Sequence, residues 1–135
     1  MRFAKIAFRF AGIYGLIVLL PMYLMEDRTG RDFPPPITHP EYFYGFVGLG
    51  VAWQVLFILV SLDPIRYRLM MIPAMLEKIS FVVPATLLFL QGRLNGFVFG
   101  ASLMDLVLGI LFVIAYAKTR FEQGRLATSP QVASQ

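Results

Sequence analysis

The run from Asp63 to Gln91, DPIRYRLMMIPAMLEKISFVVPATLLFLQ, decides how this chain folds. It opens on a turn dipeptide and two arginines, becomes almost wholly apolar, and then carries Glu77 and Lys78 inside the apolar run. A stretch this long and apolar reads as a membrane-spanning helix. Charge is expensive at membrane depth, so charged side chains there turn to the protein interior, pair, or mark a function. Asp105, in the following apolar run, is the expected partner.

The rest of the composition agrees. Of 135 residues, 58% are apolar and 15% charged, against about 45–50% and about 25% in soluble domains. The excess is concentrated in four runs, so it reads as lipid-facing surface rather than an enlarged core. Four spans leave little chain for a water-soluble domain. There is no cysteine, which excludes disulfides, thiolate metal sites, iron–sulfur clusters and thiol redox chemistry. The single histidine, His39, excludes a multi-histidine metal site or a bis-histidine haem within one chain. No nucleophile motif or cofactor fingerprint is present, so neither cofactor nor metal is expected. The net charge of +4 suggests nucleic acid at first sight. The basic residues sit at the ends of apolar runs, however, and membrane topology accounts for them.

The sequence predicts one all-α domain over residues 1–126, an integral membrane four-helix bundle. Its helices are read at about 6–25, 42–62, 64–91 and 97–117, with an outer loop at 26–41 and a disordered tail at 127–135. Residues 1–9 hold Arg2, Lys5 and Arg9 and no acid. A basic start before an apolar stretch also describes a secretory leader, but the run ends in PMYLMEDR with no small-x-small cleavage pattern. It is therefore read as a retained first helix. Gly12 and Gly15, three apart, mark a face for close helix packing, and Pro21 is expected to kink the last turn.

In EDRTGRDFPPPITHPE (26–41), Pro34–Pro36 and Pro40 are expected to exclude regular helix and favour an extended path. The segment reads as an ordinary solvated connector, or as a cap over the bundle mouth with Phe33, Ile37, Tyr42 and Phe43 as apolar anchors. Tyr42, Phe43 and Tyr44 form an interfacial aromatic cluster at the start of the second span. Gly48 and Ala52 make a small-xxx-small pair. Gln54, near mid-span, needs a hydrogen-bond partner and is expected to point inward. Asp63 suits a helix N-cap and Pro64 the first helical position. Arg66 and Arg68 can snorkel to phosphates, while Pro73 and Pro84 fall inside the third span. Gly92–Gly96 reads as a turn. Asp63–Arg66 and Lys118–Glu122 read as ordinary helix-end charge pairs.

Basic residues orient the bundle. Arg2, Lys5, Arg9, Arg66, Arg68, Lys118, Arg120 and Arg125 fall on one side, and Arg28, Arg31 and Arg93 on the other. That asymmetry places both termini in the cytoplasm and the proline loop outside, in a bacterial inner membrane. No internal repeat is present, so an inverted-repeat transporter is not indicated.

The buried charges carry the functional question. At the rise of a helix, Glu77 lies roughly 13 Å, Asp105 roughly 18 Å and Gln54 roughly 12 Å from the basic side. The row Pro73, Glu77, Ser80, Pro84 and Gln91 is the polar stripe of the third span. Asp105 has Ala101, Ser102, Leu108 and Gly109 as helical neighbours, small residues that mark a helix–helix interface. The two stripes are expected to meet, with Lys78 reaching Asp105. Glu77 and Lys78, being adjacent, point about 100° apart, which leaves Glu77 for Gln54, a tyrosine or its own proton. The candidate site residues are thus Glu77, Lys78, Asp105 and Gln54, with His39 either a solvated loop histidine or an acid or base at the outer mouth. Met70, Met71 and Met75 read as core filler.

The segments HPEYFYGFVGLGVAWQVLF (39–57) and DPIRYRLMMIPAMLEKISF (63–81) resemble small bacterial four-helix inner-membrane proteins of the DoxX-like kind. The residues that carry the resemblance are His39, Pro40, Gly45, Gly48, Gln54, Asp63, Pro64, Arg66, Tyr67, Met71, Glu77 and Lys78. It implies the topology and brings no established activity.

Three functions fit this reading. The first is a non-enzymatic accessory or scaffold bundle locked by Glu77, Lys78 and Asp105. The second is a module that binds or moves a small amphiphile or a proton, with Glu77 and Asp105 lining a cavity. The third is a membrane enzyme acting on a lipid-soluble substrate with those carboxylates as acid and base. The lipid bilayer is the partner that the composition demands. A small hydrophobic ligand, a second copy or a partner membrane subunit also fits, and nucleic acid does not.

Overall fold

A computed structural model describes residues 1–128. Every regular element among these is helical. The helices are α1 (Arg2–Leu19), α2 (Glu26–Asp32), α3 (Pro40–Leu62), α4 (Met71–Leu90) and α5 (Gly96–Thr128). Four stretches, Arg2–Leu24, Pro40–Leu62, Arg68–Leu90 and Gly96–Arg125, are long and apolar enough to cross a membrane. The tail expected at 127–135 lies, beyond Thr128, outside the described residues.

Proline placement explains most of the boundaries. Pro21 lies just past the end of α1, where the chain tightens into a 3₁₀ turn over Leu20–Leu24 with the proline in its first positions. The segment 26–41 is not wholly extended, because α2 occupies its first half. The prolines restrict only Phe33 onward. Ahead of them, Glu26 and Asp27 in the first turn and Arg31 in the last complement the helix dipole, and Arg28 pairs with Asp32 at 3.3 Å. Pro40 takes the first position of α3, so that helix begins two residues earlier than expected.

The start of α4 moves the other way. Asp63 Oδ1 accepts the capping bond from the Arg66 amide at 3.1 Å, yet only a turn and the 3₁₀ segment Arg68–Met70 come after it. The continuous helix begins at Met71. Pro73 then falls in the first helical turn, where its missing N–H breaks no internal bond. Pro84 remains inside the helix. At the far end of α4, Gly92 adopts φ 68°, the left-handed conformation that favours glycine at a helix stop. α5 runs well past residue 117.

Helix α1 packs along α3, α4 packs along α5, α1 also lies against α5, and α3 touches α4 only narrowly. Gly12 and Gly15 do bring α1 close to α3: a Cβ on Gly12 would stand 2.9 Å from the Gln54 carbonyl oxygen. The core is a ring cluster from three helices. Phe8 stacks on Phe112 at 4.1 Å, and Phe57 meets Phe112 edge-on at 5.0 Å. All three rings are fully buried, with Met71 and Ala74 of α4 joining the same cluster.

The inner face of α4 differs from the one expected. Met71, Ala74, Lys78 and Ala85 are buried, whereas Ser80, Pro84 and Gln91 are exposed. The helix is turned by one residue, because three compact or apolar side chains and the long stem of Lys78 bury better than the polar row. Gly48–Ala52 is not a packing pair either, since Ala52 is exposed.

Contacts at the bundle ends gather the basic residues. Met1 N lies 3.9 Å from Glu122 Oε2, Lys118 Nζ sits 4.7 Å from the Phe3 ring centre, and the Arg68 guanidinium lies 3.8 Å over Tyr116. The expected pair Lys118–Glu122 is replaced by these contacts. The start of α1, the start of α4 and the end of α5 therefore share one end of the bundle. At the other end Phe33 faces Phe97 at 5.9 Å, tying the proline loop to the start of α5.

Candidate functional site

Lys78 stands on the inner face of α4, 4% exposed. Its burial needs space on α5, and Gly109 supplies it: a Cβ on Gly109 would stand 3.3 Å from Lys78 Cβ. Four residues before Gly109, Asp105 comes within reach of the ammonium. Lys78 Nζ donates to Asp105 Oδ1 at 2.8 Å, a charge-assisted bond of the strong, short kind. The ammonium also lies 5.2 Å from the Phe57 ring centre, inside the range of a cation–π attraction. One lysine thus links α4 to α5 and also to α3, a helix that α4 otherwise barely meets.

Glu77 completes the cluster, contrary to the expectation that adjacency would keep it from Lys78. Its Oε2 lies 3.1 Å from Lys78 Nζ, off the direction of a hydrogen bond, and its Oε1 accepts one at 3.5 Å. Both side chains are long enough to curl round the helix and close the angle of about 100° between them. The Glu77 and Asp105 side chains are each 20% exposed, against 5% for that of Lys78. The cation is therefore inside and the anions at the edge of the α4–α5 seam. When all three are ionised the cluster carries one negative charge in excess.

The other two candidates lie elsewhere. Gln54 is buried, but it faces α1: its Nε2 donates to Gly50 O at 3.1 Å, and its side chain fills the space opposite Gly15. It satisfies itself on its own helix and does not touch Glu77. His39 is exposed before α3, with Nδ1 3.0 Å from Glu41 Oε1 and its ring 5.4 Å from Tyr42. The structure thus unites Lys78, Asp105 and Glu77 and leaves Gln54 and His39 apart. Phe57 was missed from sequence, although it lies three residues after Gln54 and so close to the same face of α3.

Two concavities lie away from the cluster. One of about 310 Å³ is formed by Glu26, Asp27, Gly30, Arg31, Pro36 and Ile37, between α2 and the proline loop. The other, of about 210 Å³, is formed by Arg2, Lys5, Ile6 and Arg9 on α1. Among the described residues, no group of three or more acidic or histidine side chains is placed to hold a metal ion. The remaining buried hydroxyls are satisfied by their own helices: Ser61 donates to Ile58 O at 2.6 Å, Ser102 to Phe99 O at 2.7 Å and Thr119 to Ala115 O at 3.0 Å.

The cluster can do two things chemically. It can fix the rotation of α4 on α5, and its surplus carboxylate can hold a proton or a cationic group. Comparison with models of known families, with curated proteins and with solved structures found no match to this chain.

Proposed function

We propose that this chain is a multi-pass protein of the bacterial inner membrane, with both termini cytoplasmic, that serves as a non-enzymatic scaffold or accessory bundle. In this reading Lys78, Asp105 and Glu77 form a polar lock that sets how α4 sits on α5, within a four-helix topology that resembles that of DoxX-like proteins. The observation that carries it is the 2.8 Å contact between Lys78 and Asp105 with the lysine 4% exposed. A lysine so enclosed offers no approach to a substrate. The four apolar spans and the collection of basic residues at one end support the membrane placement. A scaffold of this kind works through its outer surface, with a second copy or a partner membrane subunit. Mass spectrometry of the purified protein tests the reading: phospholipid alone is expected, and a stoichiometric non-lipid amphiphile would overturn it.

One observation favours a second reading. Two carboxylates share one ammonium, and both reach the edge of the seam. On this reading Glu77 and Asp105 bind a proton or the amine of a small amphiphile, and Glu77→Gln abolishes that binding while the bundle stays folded. Calorimetric titration with a cationic amphiphile separates the two, since the lock alone predicts no heat that depends on Glu77.

A further inference from the structure

We propose that the outward face of α1 is a seat for one anionic phospholipid. Arg2, Lys5 and Arg9 recur at helical spacing on that face, and their aliphatic stems line, with Ile6, an almost wholly apolar concavity of about 210 Å³. All three are exposed, and none of the three side chains makes an ion pair or hydrogen bond among the described residues. Three cations without a protein counter-ion leave a site complementary to phosphate.

The surface beyond them says which phosphate compound fits. Ile6, Phe10, Ile13 and Ile17 continue along the same side of α1 and are 68%, 53%, 48% and 69% exposed. Their spacing of four, three and four residues keeps them on one helix face. The strip spans eleven residues, roughly 16 Å, about the depth of one leaflet of a hydrocarbon core roughly 30 Å thick. A charged head and an apolar track of leaflet length match a phospholipid, whereas a free phosphate uses only the head. A second copy docking by this face would set three cations against three cations.

The inference rests on the membrane reading, and its test separates the two. The full-length protein is reconstituted into bilayers of phosphatidylcholine with or without phosphatidylglycerol, then extracted and examined by native mass spectrometry. Retention of phosphatidylglycerol over phosphatidylcholine of the same chain length is expected on the order of ten- to a hundredfold, the scale that three near-surface cations supply. The triple variant Arg2→Gln/Lys5→Gln/Arg9→Gln, checked for helix content, should lose the preference. Arg66→Gln/Arg120→Gln, which removes charge at the same end, should keep it. Equal retention of the two lipids, a preference that survives the triple substitution, or inorganic phosphate competing as well as phosphatidylglycerol would overturn the seat. Failure to insert into either bilayer would instead overturn the membrane reading.

Discussion

Lys78 is held by three unlike groups: a carboxylate on α5, a carboxylate on its own helix and an aromatic face on α3. Removing it leaves Asp105 and Glu77 facing each other without a cation, and breaking a buried pair costs about 3–5 kcal/mol. Lys78→Ala should therefore lower the unfolding free energy by that amount, read by thermal or denaturant unfolding in detergent. Replacing both partners with apolar residues of similar size is often neutral. Lys78→Met/Asp105→Leu should accordingly recover most of the loss, and a double variant no better than the single would show that the pair is not the lock. Glu77→Gln leaves the 2.8 Å bond from Lys78 to Asp105 in place and should change stability by less than about 1 kcal/mol in the same measurement.

The α1–α3 pair depends on two glycines that look alike in sequence and differ in what they face. A Cβ on Gly12 meets the Gln54 carbonyl oxygen at 2.9 Å, which is backbone. A Cβ on Gly15 meets the Gln54 side chain. Both alanine substitutions should destabilise by about 1–3 kcal/mol through overpacking. Gln54→Ala should relieve Gly15→Ala and leave Gly12→Ala unrelieved, a coupling read from a double-mutant cycle. Rescue of both would mean that the helices can separate freely. The same two glycines were legible in the sequence as a packing face. Their partner was not, because Gln54 looked equally ready to face α4.

The bundle brings the start of α1 and the end of α5 together through Met1 and Glu122, so both ends of the described chain share a side. The absence of cysteine makes that side easy to find. Thr38→Cys, in the exposed proline loop, should react with a membrane-impermeant maleimide in intact cells. Gln123→Cys should react only after lysis. The opposite pattern would invert the orientation, and labelling of both in intact cells would rule out a shared cytoplasmic side. The outer surface carries many large apolar side chains, with Leu49, Leu76 and Ile110 all more than half exposed, which suits the proposed membrane placement.

Four long apolar helices, a basic end and an acid–base cluster packed between helices could be read from the residues alone. Hydropathy sums over local composition, and the cost of a charge in hydrocarbon does not depend on which helix stands beside it. Proline chemistry was legible only in part: it restricted the chain from Phe33 onward, but it did not prevent α2 ahead of it. Folding settled the azimuths. Each residue turns a helix by about 100°, and the choice among neighbouring faces is a small difference between many packing contacts spread along its length. Here that difference turned Lys78 inward over Gly109, left Glu77 at the seam, and sent Gln54 toward α1.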